Sequence, residues 1–163
     1  MVRLLYPLDN KRDFDTLTDF LFRNLNDDRV LKYVSYSLKK FTKEEIVSQT
    51  EKHRENSMDY LVYEQDNEFK GVLTYKKKHS LGFELFLLII ENAYRQKGIG
   101  QSLINECIAI ATKENYPSID SMVFEDNKPM LNLLQKNGFR QVGVQNSSRT
   151  DGTSIVWMIK VFE

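Results

Sequence analysis

Apolar residues along this chain follow two rhythms. Phe14, Leu17, Phe20, Leu21 and Leu25 keep the three-to-four spacing that lays one stripe along an α-helix. Leu103, Ile104, Cys107, Ile108 and Ala111 make a second stripe of the same kind. Elsewhere the apolar runs are short and rich in β-branched and aromatic residues, as in Tyr60 to Tyr63, Phe69 to Tyr75, Ser118 to Glu125 and Ser154 to Val161. Those read as strands. Leu85 through Ile90 is unbroken apolar sequence, too short for a helix of its own, and reads as a buried central strand starting near Leu81.

Punctuation between these runs fixes their order. Arg3 to Pro7 is a short first strand, and the first helix spans Asp13 to Leu25. Asn26 to Lys40 is polar and irregular, with room for a short helix. Thr42-Lys-Glu-Glu45 is a capping-box sequence that opens a helix through about His53. Asp66-Asn67 and Asp151-Gly152 are turn signals between strands. Lys76-Lys-Lys78 marks an exposed turn, and Pro117 separates the helix ending near Asn115 from the next strand. Lys128 to Asn137 is a short helix stopped by Gly138, followed by a strand from Phe139 to Val144. Strand, two helices, strands, helix, strand, helix, strands is the order of an α/β domain: a mixed, mostly antiparallel central sheet flanked by helices on both faces.

With 163 residues the chain is expected to be a single domain over 1–163. Lys plus Arg and Asp plus Glu balance at 23 each, so no nucleic-acid or membrane partner is expected from charge. The first residues lack an apolar stretch of signal-peptide length, and no run approaches a membrane span. A single cysteine suits a reducing compartment, and together these features predict a cytoplasmic protein. Cys107 falls in the apolar stripe and reads as core. Two histidines and one cysteine at scattered positions predict no metal site, and His79, in a charged turn, reads as solvated.

Chemistry concentrates where the central strand gives way to Glu91-Asn-Ala-Tyr-Arg95-Gln-Lys-Gly98-Ile-Gly100 and then to a helix. A helix starts with backbone N–H groups that lack intrahelical partners, at the positive end of its dipole, so such a junction can hold an anion. Glycines there allow close approach of a ligand, although they also serve a plain tight turn. The dinucleotide fingerprint is excluded because Leu103 stands where a third glycine is needed, and the P-loop because its Gly-Lys-Ser/Thr is missing.

The whole string Tyr94-Arg-Gln-Lys-Gly-Ile-Gly100 resembles the R/Q-x-x-G-x-G/A signature of the GNAT superfamily, the acetyl-CoA-dependent N-acetyltransferases. Downstream, Asn127-Lys-Pro-Met130-Leu-Asn-Leu-Leu134-Gln-Lys136-Asn-Gly138-Phe139 is similar to that family's N-x-x-A/M-x-x-L-Y-x-K-x-G-F segment. The motif-bearing part runs from about Leu81 to Gly143. The resemblance implies the GNAT fold and acetyl-CoA as co-substrate, with its pyrophosphate on the backbone of Gln96, Lys97, Gly98, Ile99, Gly100 and Gln101. Arg95 and Lys97 would add positive charge, although either also fits a solvated surface. The pantetheine arm would run beside the central strand near Leu88 and Ile90, where a strand N–H can stabilise a developing oxyanion. Asn127 matches a cofactor-contacting asparagine and equally fits a helix cap. Leu134 stands among the cofactor-contacting positions, where many members carry a tyrosine that protonates the departing thiolate; leucine cannot.

Acetyl transfer to an amine has one need that backbone cannot meet. An alkylammonium with a pKa of about 10.4 must lose a proton before it can attack. Strict strand alternation places Glu84 on the same side as Phe86, Leu88 and Ile90. In protein-acetylating branches of the family, a glutamate six residues before the strand's last apolar residue is the general base, and Glu84 keeps that spacing to Ile90; it also fits an exposed strand end. Glu125, beside Asn127, is the second candidate. The acceptor pocket is expected from Asn26–Lys40, the first two helices and the hairpin around Ser147 to Thr153, with Asp27, Asp28, Glu44 and Glu45 available to attract a cation. The function expected is transfer from acetyl-CoA to a primary amine, of a small molecule or of a protein or peptide, by direct attack in a ternary complex. The alternative is a non-catalytic acyl-CoA-binding or sensing domain of the same fold. A homodimer through the last strands, as in some relatives, is compatible with the resemblance.

Overall fold

The computed structural model describes residues 1–78 and 82–163. The strands are β1 (Val2–Leu5), β2 (Met58–Gln65), β3 (Glu68–Lys78), β4 (Gly82–Ile90), β5 (Ser118–Phe124), β6 (Arg140–Gln145) and β7 (Ile155–Val161). The helices are α1 (Lys11–Leu25), α2 (Asp28–Val34), α3 (Lys43–Glu51), α4 (Ile99–Lys113) and α5 (Lys128–Lys136). The strands form one seven-stranded sheet in the order β1-β2-β3-β4-β5-β7-β6. Every pairing is antiparallel except β4 with β5. His79 and the expected strand start at Leu81 lie outside the described residues.

Local chemistry sets the element ends. The Asn10 side chain accepts from the backbone N–H groups of Arg12 and Asp13, so α1 begins two residues before the apolar stripe suggests. Asp27 caps α2 by accepting from the Arg29 N–H, making a short helix of part of the irregular segment. The capping box at α3 is complete: Thr42 Oγ1 accepts from Glu45 N–H at 3.1 Å and Glu45 Oε2 from Thr42 N–H at 2.7 Å. Asp66 and Asn67 both adopt positive φ, 53° and 61°, which a two-residue β2–β3 turn requires.

Two cores lie on opposite faces of the sheet. On one, Leu103, Ile104, Cys107 and Ala111 of α4 pack with Leu73, Phe83, Leu85, Ile119, Val123 and Leu134. On the other, Leu17, Phe20, Leu21 and Leu25 of α1 and Ile46 of α3 pack with Tyr60, Val62, Val72 and Ile89. α4 has no side-chain cap. Its buried stripe holds it, at about 1.5–3 kcal/mol per fully buried aliphatic side chain. Gly71 on β3 lets the start of α4 come close: a Cβ there would lie 2.8 Å from Ile90 Cδ1 and 2.9 Å from Ile99 Cγ2.

In two respects β4 departs from a regular central strand. First, Thr74 on β3 pairs with Leu87 but the next residue, Tyr75, pairs with Leu85, so Phe86 is an extra residue in a β-bulge. Alternation resumes one residue out of step. Phe83, Leu85, Leu88 and Ile90 face α4, whereas Leu87 and Ile89 face the α1–α3 core. Glu84 is therefore not on the same side as Leu88 and Ile90, as strict alternation predicts, but shares a cavity with Leu87. Second, β4 and β5 pair only at Phe83–Ile119 and Glu84–Asp120 and then part.

Candidate active site

The parting of β4 and β5 opens a cleft of about 590 Å³ on the α4 side. The β4 edge facing β5 carries no ladder beyond Glu84, and near its start the Leu85 carbonyl accepts from Ser121 Oγ at 2.9 Å. Leu88, Ile90, Arg95, Gln96, Gly98, Gly100, Gln101 and Asn127 all line this cleft. Gly98 is the residue before α4 and has φ +80°, with nothing within 4 Å of where a Cβ would stand; here glycine answers a conformational demand. Gly100 answers a packing demand instead, since a Cβ would meet Leu133 Cδ2 at 3.3 Å. With no capping side chain, the first-turn N–H groups of α4 lack partners within the helix, at the corner of the cleft that Gly98, Gly100 and Gln101 line.

Several expected cofactor positions are placed elsewhere. Lys97 does not line the cleft; its Nζ lies 4.9 Å from the centroid of the Tyr94 ring. The side chain of Ile99 is buried in the α4 core, which leaves only its backbone for a ligand. Leu134 is fully buried in the same core and does not reach the cleft, because the apolar stripe of α5 turns it under the helix. Arg95 lines the cleft with its Nε donating to the Ile90 carbonyl at 3.2 Å. Gln101 is tied to α5 by paired amide hydrogen bonds with Asn137. Asn127 lines the cleft and also caps α5, accepting from Met130 N–H at 3.3 Å.

On the opposite face lies a cavity of about 540 Å³. Met58, Tyr60, Thr74, Lys76, Glu84 and Leu87 form its floor, and α1, α2, α3, Tyr36 and Phe41 its walls. Tyr33, Val34, Phe86, Leu87 and Met122 border both cavities, so the two meet across the parted strands. Glu84 is buried, and its Oε2 lies 2.7 Å from Lys78 Nζ. Asp120, its partner on β5, stands 3.9 Å from the same ammonium; burial pushes its carboxyl above the usual range, against the pull of Lys78 and with the negative charge of Glu84 adding to the rise. Glu125 lines neither cavity. It accepts from Ser154 N–H at 3.0 Å and pins the start of β7.

The expected acceptor elements are only partly the ones used. Both flanking helices and the irregular segment line the cavity, but the Ser147–Thr153 hairpin does not. It clamps that segment from outside through Arg149, a buried guanidinium bonded to Asp126, Asp151, Thr153 and the Lys32 carbonyl. Thr150 N–H adds a bond to the Tyr36 carbonyl at 2.9 Å. The Arg149 hydrogen bond holds the Asp151 carboxyl well below the usual carboxylate range. None of the four expected acidic residues is an open cation site: Asp27 holds Arg29, Asp28 pairs with Lys40, Glu44 does not line the cavity, and Glu45 completes its capping box. Residues that sequence reasoning missed are Gly71, Tyr33, Thr74 and Arg149. A glycine inside a strand pattern signals close backbone approach, and could have flagged the first.

The acetyltransferase (GNAT) family model matches residues 20–139. The chain belongs to this family. A Bacillus subtilis (strain 168) protein, YwnH, provisionally named a phosphinothricin acetyltransferase, is 37% identical over 57 residues, which are 35% of each chain. The chain thus matches about a third of the length of that curated relative. The solved structure of a ribosomal-protein-alanine N-acetyltransferase from Brucella melitensis superposes with a TM-score of 0.77 over 99% of both chains, at 17% identity. A GNAT family acetyltransferase from Elizabethkingia anophelis, solved with acetyl-CoA bound, superposes with a TM-score of 0.61 over 65% of this GNAT chain and 77% of its own, at 18% identity. At such identities the likeness is one of fold, and this GNAT protein has the family's mixed, mostly antiparallel sheet. Among the described residues no helix is long and apolar enough to cross a membrane.

Proposed function

We propose that this chain moves an acetyl group from acetyl-CoA to a primary amine by direct attack in a ternary complex, with Glu84 taking the proton. The meeting of two cavities across β4 supports this reading most directly: an anion-holding cleft on one face, a carboxylate-bearing cavity on the other. Acetyl-CoA supplies the acetyl group as a thioester. The unpaired first-turn N–H groups of α4 suit its pyrophosphate, and the unladdered edge of β4 suits an arm that pairs as a strand would. A backbone N–H on that edge would steady an oxyanion.

Glu84 opens onto the other cavity and already holds an alkylammonium, that of the half-exposed Lys78, so it is suited to the cation an acceptor brings. Proton removal there exposes the amine lone pair at the junction. With Leu134 in the core, Tyr33 is the tyrosine that borders both cavities among the described residues, and is the phenol suited to protonate the departing sulfur. A thiol with a pKa of about 8.5 also leaves as thiolate, so this donor contributes less than Glu84.

The test is release of free CoA thiol from acetyl-CoA against a panel of primary amines. Amine-dependent release is expected. No release from any amine, with acetyl-CoA still raising the melting temperature, would favour the second reading, a non-catalytic acyl-CoA-binding domain, for which the absence of a tyrosine at Leu134 speaks.

A further inference from the structure

Three consecutive lysines, Lys76, Lys77 and Lys78, close β3. Each sends its ammonium to a different place. Lys76 Nζ lies 3.7 Å from the centroid of the Phe86 ring. Lys77 Nζ lies 2.8 Å from Glu114, just past α4, and 3.8 Å from Asp59. Of the three, only Lys78 pairs with Glu84, at 2.7 Å, with Asp120 at 3.9 Å.

A primary ammonium on Glu84 stands where the ammonium of an acceptor is to stand. Glu84 and Asp120 form the last rung of the β4–β5 ladder. Phe86 and Met122, two residues further along each strand and about 6.5 Å away, border both cavities. Lys78 is half-exposed, and its flexible stem can carry Nζ toward that junction without unpacking the core. Desolvation opposes its charge, but the Glu84 hydrogen bond and the charges of Glu84 and Asp120 raise its pKa above the ordinary lysine value. Lys78 is therefore an ammonium at neutral pH and needs a base before it can act as a nucleophile. That base is already in contact with it.

We propose that Lys78 is itself an acetyl acceptor: with acetyl-CoA in the α4-side cleft, the chain acetylates Lys78 Nζ in an intramolecular step. This rests on the acetyl-transfer reading and names a modification site at the same centre. Glu84 takes one proton from Nζ, and the freed lone pair forms an N–C bond to the thioester carbonyl carbon. As the tetrahedral oxyanion collapses, the C–S bond breaks and the nitrogen loses a second proton, which the departing thiolate takes up. Glu84 returns its proton to solvent. The product is a neutral amide, so the modification removes the cation that occupies Glu84. Tethering gives the step the advantage of an intramolecular reaction.

The test is mass spectrometry of the whole protein, unmodified at the start, after incubation with acetyl-CoA and no added amine. Thiol release is followed in the same samples. One acetyl group per chain is expected, matched by one equivalent of CoA thiol and located on Lys78 by peptide fragmentation. The rate per chain should not change with protein concentration. Glu84→Gln should slow the step about 10²-fold or more, and Lys78→Arg should abolish it while keeping a cation on Glu84. Both variants should keep the rise in melting temperature that acetyl-CoA induces. Acetylation spread over exposed lysines and indifferent to Glu84→Gln would overturn the inference. So would modification centred on Lys76 or Lys77, or a rate per chain that climbs with protein concentration. An unmodified Lys78 beside turnover of an added amine would overturn the inference and leave acetyl transfer standing. An unmodified chain that turns over no amine, although acetyl-CoA still raises its melting temperature, would overturn both. Modified Lys78 without turnover of any added amine would uphold the inference and overturn transfer to an external acceptor.

Discussion

The two cavities that meet on β4 are built from different material. The cleft on the α4 side adds three backbone features to its side-chain lining: an unladdered strand edge, a left-handed glycine, and the first-turn N–H groups of an uncapped helix. The cavity on the α1–α3 side is made of side chains drawn from three helices and five strands. A backbone-built site tolerates most residue types but demands glycine at particular points. A side-chain-built site keeps its shape while its chemistry changes residue by residue.

Substitutions can break the two sides apart. The largest effect is expected from Glu84→Gln, with turnover at neutral pH falling about 10²–10⁴-fold while the acetyl-CoA-induced rise in melting temperature persists. Thiol-release kinetics beside thermal melts would check this, and wild-type turnover in the variant would remove Glu84 from the chemistry. Next, Arg149→Met should loosen the clamp over the acceptor side, costing about 1–3 kcal/mol through lost charged hydrogen bonds and an unsatisfied Lys32 carbonyl. The acceptor KM should rise and acetyl-CoA affinity hold; a matching loss of acetyl-CoA affinity would mean that the two sides are not separable.

Gly71→Ala acts on the other side. Its Cβ would press on Ile90 and Ile99 and push the start of α4 from the sheet, costing about 1–3 kcal/mol in chemical denaturation and weakening acetyl-CoA binding. Unchanged binding would show that the glycine corner does not depend on this close contact. The smallest effect concerns Asp120. Burial raises its folded-state pKa, so its ionised form opposes folding above that value, and the penalty fades as pH falls below the unfolded value near 3.9. Asp120→Asn should therefore raise the melting temperature at pH 7 and lose that gain toward pH 3. Asp151 has the opposite sign: its contribution is present above about pH 3.9 and is lost only as pH falls through its depressed folded value. The Arg149 clamp should thus hold across the neutral range.

The same division explains what could be read from the chain alone. The capping box at Thr42, the Asp66-Asn67 turn, the helix stop at Gly138 and the glycine junction are local, because each is decided by residues within a few positions of one another. Most of the residues named around that junction therefore line the α4-side cleft. Lys97, whose ammonium turns to the Tyr94 ring, and Leu134, which packs into the core, are the exceptions; Ile99 is expected to act through its backbone, on which the burial of its side chain does not bear. Spacing singles out Glu84 but assigns it the wrong face, because the bulge at Phe86 lies inside an unbroken apolar run and leaves no mark in the pattern. Glu125 stands out by its place at a strand end, and the structure commits it to Ser154.

Sequence by itself determined the order of the elements, the layered α/β sheet and the glycine corner, since periodicity, capping and turn chemistry act over a few residues; Lys76-Lys-Lys78, read as a turn, instead continues β3, because its backbone pairs with β4. Tertiary structure alone decided the parting of β4 from β5, the face on which Glu84 opens, the approach of Asp120 to Lys78 and the Arg149 clamp. Each of these depends on groups brought together from distant parts of the chain, and no local pattern encodes which of them will meet.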